Sequence, residues 1–163
     1  KVCMENFATA DLLDQFPETE VLLPGLSTFG GKPCFYGQAQ TVTAPEDNSF
    51  VRKALEGPGK NRVLVVDGGG STLCALLGDQ LAQLAFDNQW AAVIVHGYIR
   101  DSQVIADIPI GVRALGTIPR RSIKRNKGSI GEPVHFLGVT INPGLWVYAD
   151  SDGVIISKPN LFL

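Results

Sequence analysis

Two short stretches of the chain carry residue types that could bind and activate a small acid. Gly78-Asp79-Gln80-Leu81 opens a predicted helix, and Arg100-Asp101 stands just past the end of the next predicted strand. The first amide groups of a helix lack partners inside it, and the helix dipole favours an anion there. Gly78 to Leu81 therefore reads as a seat for a carboxylate. Arg100 offers a planar fork to the same kind of group. Asp101 beside it suits a hard divalent cation that keeps several waters, as magnesium does, with manganese as the alternative. Ligands of open α/β sheets sit outside the carboxyl ends of strands, and one helix leads from the first stretch to the second. Both could face one crevice. On spacing alone, a surface Arg–Asp pair with Asp79 as an early-helix dipole residue explains the same residues.

Other candidates have plainer explanations. Gly68-Gly69-Gly70-Ser71 follows a buried strand, but it matches neither G-x-G-x-x-G nor a phosphate loop, since no lysine follows. It reads as a tight strand exit or as a place where backbone approaches a ligand or another chain closely. His96, four residues before Arg100, reads as a packed histidine that could touch substrate, and His135 has no evident partner. Arg120, Arg121, Lys124, Arg125 and Lys127 put five positive charges in eight residues, which reads as a solvated loop. Trp90 and Trp146 read as core or subunit-contact residues. Turn chemistry accounts for Asp150 and Asp152 without a metal.

The elements that must position these residues follow from pattern. Thr9 is expected to cap a short helix running to Phe16, which Pro17 stops. Cys34–Ala44 alternates and is rich in β-formers, so it is predicted as a strand. Asn48 is expected to cap a helix from Ser49 to Leu55, ended by Gly57-Pro58-Gly59. Arg62–Asp67 is a continuous apolar run of the fully buried kind. The helix after Gly78 carries Leu81, Leu84 and Ala85 as its apolar stripe, and Ala91–Val95 is a second buried strand ending at His96-Gly97. A third apolar segment covers Val112–Ile118. Beyond Pro133 only strands are predicted: Val134–Ile141, Trp146–Ala149 and Val154–Ser157, the last two joined by a hairpin turn. The expected fold is α/β, one layered domain over residues 1–163 with central parallel strands and antiparallel C-terminal additions.

Composition narrows the function classes. Of 163 residues 45% are hydrophobic and 18% charged, with a net charge of −2, which excludes a solvated coil. No apolar stretch approaches the roughly 20 residues of a bilayer span. The near balance of 14 basic and 16 acidic side chains argues against nucleic acid as the direct partner. Cys3, Cys34 and Cys74 are odd in number and form no C-x-x-C, so reduced thiols in a cytoplasmic protein are expected. The N-terminus has no basic-then-apolar organisation of a secretory signal. The charged fraction lies below the usual quarter, which hints at surface covered by other subunits.

Several joined motifs carry a resemblance. Asn48 after Glu46-Asp47, the run Val63-Leu-Val-Val-Asp-Gly-Gly-Gly-Ser71, Gly97-x-x-Arg100-Asp101, Asp107-Ile-Pro-Ile-Gly-Val-Arg-Ala114 and Tyr148-Ala-Asp-x-Asp-Gly-Val154 closely resemble the family named for regulator of ribonuclease E activity A. That family includes the class II aldolases of 4-hydroxy-4-methyl-2-oxoglutarate, whose signature is an aspartate, twenty residues, then Arg-Asp. Residues 80 to 99 are the twenty between Asp79 and Arg100. The resemblance implies a swivelling β/β/α domain assembled as a homotrimer with active sites between subunits. It also implies substrate contacts at Gly78, Asp79, Gln80, Leu81 and Arg100, a metal contact at Asp101, and catalytic roles for Arg100 and Asp79. The implied activity is metal-dependent cleavage of a small 2-oxo acid to pyruvate, with oxaloacetate decarboxylation alongside. The other function found on this scaffold is inhibition of ribonuclease E by surface contact, which needs neither Arg100 nor Asp101.

Overall fold

A computed structural model describes residues 6–162, so Cys3 lies outside the described residues. The chain begins with helix α1 (Thr9–Gln15), strands β1 (Glu20–Val21), β2 (Ser27–Thr28) and β3 (Phe35–Thr43), and helix α2 (Ser49–Glu56). Strands β4 (Val63–Asp67) and β5 (Ala75–Leu77) lead into helix α3 (Asp79–Asp87). Strand β6 (Ala92–Ile99), helix α4 (Ser102–Ile105) and strand β7 (Gly111–Thr117) come next. Five strands finish the chain: β8 (Ser129–Ile130), β9 (Val134–Phe136), β10 (Val139–Ile141), β11 (Trp146–Asp150) and β12 (Gly153–Ser157).

The apolar runs take the centre of the sheet because both of their faces are buried. In β4, Val63 and Val65 join one core while Leu64 and Val66 join the other. In β6, Ala92 and Ile94 alternate with Val93 and Val95 in the same way. A two-residue period with no polar face leaves these strands no alternative to an interior position. Strands β3, β4, β6 and β7 pair in parallel. The C-terminal strands β11 and β12 extend the sheet antiparallel beyond β3, with β1 at that edge and β2 beyond β7. One core lies beneath α2 and α3, through Val51, Leu55, Leu81 and Ala85. The second gathers Ile94 of β6 with Ile156 of β12, four strands away along the sheet, and is capped by Phe136 and Ile141 of the β9–β10 hairpin. Contact between strands that far apart requires the sheet to curl.

Several local expectations shift. Thr9 is the first residue of α1 and not its cap; the N-cap position belongs to Ala8. The Thr9 amide and hydroxyl instead donate to the buried Asp150 carboxylate at 2.7 Å each, so Asp150 does more than shape its turn. Val134–Ile141 is two strands with a turn at Leu137-Gly138, and Leu137 has φ 48°. Strand β6 does not stop at His96-Gly97. Its pairing with β7 shifts register between Val95 and Tyr98, and the strand continues to Ile99 beside β5. Such a bulge re-aims the residues beyond it. Here they are Arg100 and Asp101.

Candidate active site

Helix α3 begins where β5 ends, and its first turn meets the end of β6. The Arg100 amide donates to the Leu77 carbonyl at 3.0 Å, which ties the two strand ends together. Asp101 then adopts a left-handed conformation, φ 60° and ψ 38°. That region is strained for most side chains and tolerated by aspartate. The turn aims its carboxylate back at α3: Asp101 Oδ2 accepts the Asp79 amide hydrogen at 3.0 Å and lies 3.9 Å from Arg100 Nε. The Gln80 amide donates to Asp79 Oδ1 at 2.8 Å. The Leu81 amide has no acceptor among the described residues. Two of the three leading amides are thus met by the chain's own carboxylates, and one is open to a ligand.

Gly78 explains how the two segments close. A Cβ at this position would lie 2.8 Å from Asp101 Oδ2 and 3.5 Å from Arg100 Nε. Asp101 is an exposed side chain and can move, so Gly78→Ala is expected to fold with stability within about 0.5 kcal/mol of the parent. The displaced carboxylate should weaken any reaction at this site by roughly tenfold or more, since geometry shifts near 1 Å cost that much. Turnover and thermal midpoint measured side by side check this; unchanged turnover would exclude a role for the Asp101 position.

The wall opposite comes from segments that local pattern did not connect with the site. A pocket of about 210 Å³ is lined by Gly78 to Leu81, Arg100 and Asp101, and also by Asn48, Arg52, Ala75, Arg121, Ser122 and Lys124. The basic run therefore divides. Arg121 and Lys124 line the pocket, whereas Arg120, Arg125 and Lys127 do not. The loop is held by backbone and buried side chains. The Ala75 amide donates to the Arg120 carbonyl at 2.7 Å, and the Asn48 amide donates to Ser122 Oγ at 3.3 Å. Asp47, 1% exposed, accepts from the Arg125 and Lys127 amides at 2.6 and 3.1 Å through Oδ2. Its Oδ1 accepts from the Ser49 amide and hydroxyl at 2.8 and 2.5 Å. Burial alone would push this carboxyl up; the hydrogen bonds from Ser49, Arg125 and Lys127 outweigh it and hold the pKa at about 2.

Asn48 occupies the N-cap position of α2, as expected, but makes no capping bond; Asp47 serves the Ser49 amide instead. Asn48 Oδ1 is buried without a partner among the described residues, and Asn48 lines the pocket. Asp101 Oδ1 likewise accepts no hydrogen bond there. No cluster of three or more His, Cys, Asp or Glu side chains occurs among the described residues. A lone carboxylate and an amide oxygen fit a hard cation that keeps most of its water, and no soft donor competes. Arg52 follows Asn48 by four residues, the spacing that puts two side chains on one helix face, and this was the one local signal linking it to the site.

The remaining candidates stay outside the pocket. Gly68 faces protein and not open space: a Cβ there would meet Leu76 Cδ1 at 2.4 Å and the His96 carbonyl at 2.9 Å. Gly68 is thus packed as a tight strand exit, whereas a Cβ at Gly69 would meet nothing within 4 Å. His96 stacks on Phe136 with ring centroids 4.7 Å apart and lies 3.8 Å from Asp67, away from Arg100's pocket. His135 pairs with Thr140 Oγ1 at 2.8 Å. Trp90 is buried, and its indole N–H donates to the Gly57 carbonyl at 3.2 Å. Asp152 donates its amide to Asp150 Oδ1 at 3.0 Å, the expected turn bond. Cys34 and Cys74 are buried. No helix among the described residues is long and apolar enough to cross a membrane.

This architecture and sequence have relatives. A protein of Aromatoleum aromaticum, provisionally named a 4-hydroxy-4-methyl-2-oxoglutarate aldolase, is 51% identical over 96% of this chain and 99% of its own length. The RNA-processing inhibitor RraA from Thermus thermophilis superimposes with a TM-score of 0.92 at 43% identity, covering 95% of this chain and 96% of that one. A Geobacillus kaustophilus structure named as an S-adenosylmethionine:2-dimethylmenaquinone methyltransferase gives 0.92 at 49% identity, covering 96% and 98%. The pattern of the family described as Aldolase/RraA matches residues 9–156. The chain is a member of the Aldolase/RraA family.

Proposed function

We propose that the protein is a divalent-metal-dependent lyase that cleaves 4-hydroxy-4-methyl-2-oxoglutarate into two molecules of pyruvate and also decarboxylates oxaloacetate. The observation that carries the reading is the meeting of Arg100, Asp101 and the first turn of α3 in one pocket, with Asp101 Oδ2 3.0 Å from the Asp79 amide. Relatives provisionally named as this aldolase support it at about half identity over nearly the whole chain. Magnesium is the preferred ion, with manganese as the alternative; Asp101 would hold it, with Asn48 lining the same pocket. When bound, such an ion polarises a 2-oxo acid and lowers the energy of negative charge developing on it.

The chain's own residues supply the rest. The open Leu81 amide, with those of Asp79 and Gln80 as their carboxylate partners yield, receives the substrate's C1 carboxylate at the helix N-terminus. Asp79 orients a water that takes the proton from the C4 hydroxyl. The C3–C4 bond then breaks; its electron pair moves onto the C1–C3 fragment as the enolate of pyruvate, while C4 becomes the keto carbon of the second pyruvate. Arg100 stabilises the enolate oxygen until C3 is reprotonated. Loss of carbon dioxide from oxaloacetate produces the same enolate. No lysine amine has to form a Schiff base.

The trimer with sites between subunits belongs to the same proposal. Leu73 and Ile123, each 63% exposed, lie within two residues of pocket residues in sequence and suit coverage by another subunit. Buried thiols suit a reducing cytoplasm. The test is pyruvate release from both substrates with magnesium, without it, and after chelation. Release that needs the ion and returns on its addition is expected; release indifferent to chelation overturns the reading.

A second reading has one specific support, the name of the Thermus relative as an RNA-processing inhibitor. Inhibition of ribonuclease E by surface contact would survive Arg100→Ala, whereas cleavage would not. The methyltransferase name of the Geobacillus relative has no counterpart here, since Gly68–Ser71 lacks the cofactor-binding glycine pattern.

A further inference from the structure

The pocket holds more positive charge than a pyruvate unit requires. Arg100 and the α3 terminus take one carboxylate and the keto group, yet Arg52 and Arg121 also line the same 210 Å³ space. Neither guanidinium has a hydrogen bond or ion pair among the described residues. Arg52 is half-buried on α2, one turn beyond Asn48, and Arg121 is held at the rim by its bridge to Ala75. For Arg52, a guanidinium drawn part-way out of water with no anion beside it is costly, and the planar fork of either arginine matches a carboxylate. The two arginines come from different elements, α2 and the loop after β7, so they converge only in the folded chain.

We infer that Arg52 and Arg121 form a second anion seat that reads the distal carboxylate of the substrate, restricting the site to 2-oxo acids with two acid groups. The inference rests on the lyase reading for the identity of the first seat. It makes Arg52 and Arg121 specificity residues: they hold the carboxylate carried by C4, which leaves with the second pyruvate.

The test separates the seat from the chemistry. Calorimetric titration in magnesium compares 2-oxoglutarate with 2-oxopentanoate, which has the same carbon chain without the distal acid. The wild-type protein is expected to prefer the diacid by roughly 10- to 100-fold, and Arg52→Ala and Arg121→Ala each to remove most of that preference. Affinity for 2-oxopentanoate should stay within about twofold. Cleavage assays then compare 4-hydroxy-4-methyl-2-oxoglutarate with 4-hydroxy-4-methyl-2-oxopentanoate, which would yield pyruvate and acetone by the same bond scission. The ratio of kcat/KM for diacid over monoacid should collapse in both variants, chiefly through KM. Arg121 is exposed, so its variant keeps the fold and isolates the charge. A wild-type protein without diacid preference, or a preference that survives both substitutions, or equal losses for both acids, overturns the seat. Selective binding lost in the variants while neither compound is cleaved by wild-type protein supports the seat and overturns the lyase reading.

Discussion

Arg100→Ala is expected to lower pyruvate release by roughly 10²- to 10³-fold, the usual consequence of removing one donor from a charge-stabilising site. The loss should fall on kcat, because the group acts on charge that appears only as the C3–C4 bond breaks. Its side chain is 40% exposed, and 3.9 Å from Asp101 is its only ion-pair contact among the described residues. Folding should therefore change by less than about 0.5 kcal/mol. Arg100→Lys should recover a fraction of the rate, since lysine restores the charge without the fork. Steady-state kinetics on both substrates decide it. An alanine variant within a few-fold of the parent removes Arg100 from the chemistry.

Asp47→Asn should act on the site from behind its wall. The Asp47 carboxyl has an ordinary value of 3.8 and is held at about 2 in the folded protein. A depressed acid stabilises the fold above its unfolded value, and that stabilisation is lost as pH falls through the folded value. The difference corresponds to about 2 kcal/mol, present at neutral pH and fading between pH about 4 and 2. Urea unfolding of parent and variant should differ by that amount at pH 7 and converge toward pH 2; a gap independent of pH overturns the assignment. The variant should also free the Arg125 and Lys127 amides, loosening the loop that carries Arg121 and Lys124. Faster amide exchange across 120–127 is the structural readout.

Much of this was legible before folding. The buried strands could be read from Val63–Val66 and Ala92–Val95 because an apolar run bounded by glycine and polar residues encodes its own environment. The start of α3 at Asp79 was legible for the same local reason, whereas the pairing of that start with Arg100-Asp101 across twenty residues rested on the family resemblance and not on local pattern. The five basic side chains of 120–127 are exposed, as a solvated loop requires, but the docking of their backbone beside the pocket is not legible in the run. Its docking depends on the Ser122, Arg125 and Lys127 bonds to Asn48 and Asp47, which join residues 74, 78 and 80 positions apart. No periodicity records such contacts. The Thr9 cap failed similarly: the hydroxyl that could have closed its own helix meets Asp150, 141 residues away.

By itself, then, the sequence determined the identity of the chemical groups, the strands and helix that carry them, and the family to which the chain belongs. Hydrophobic period, glycine and capping residues act over a few neighbours, so a reader of residues can follow them. The tertiary structure alone decided the shape of the pocket. The bulge in β6 and the left-handed Asp101 turn the carboxylate onto the first α3 amide, and the buried Asp47 holds a remote basic loop that lines the pocket. Those outcomes depend on long-range packing, in which one well-placed hydrogen bond between distant segments outweighs the local preference of either.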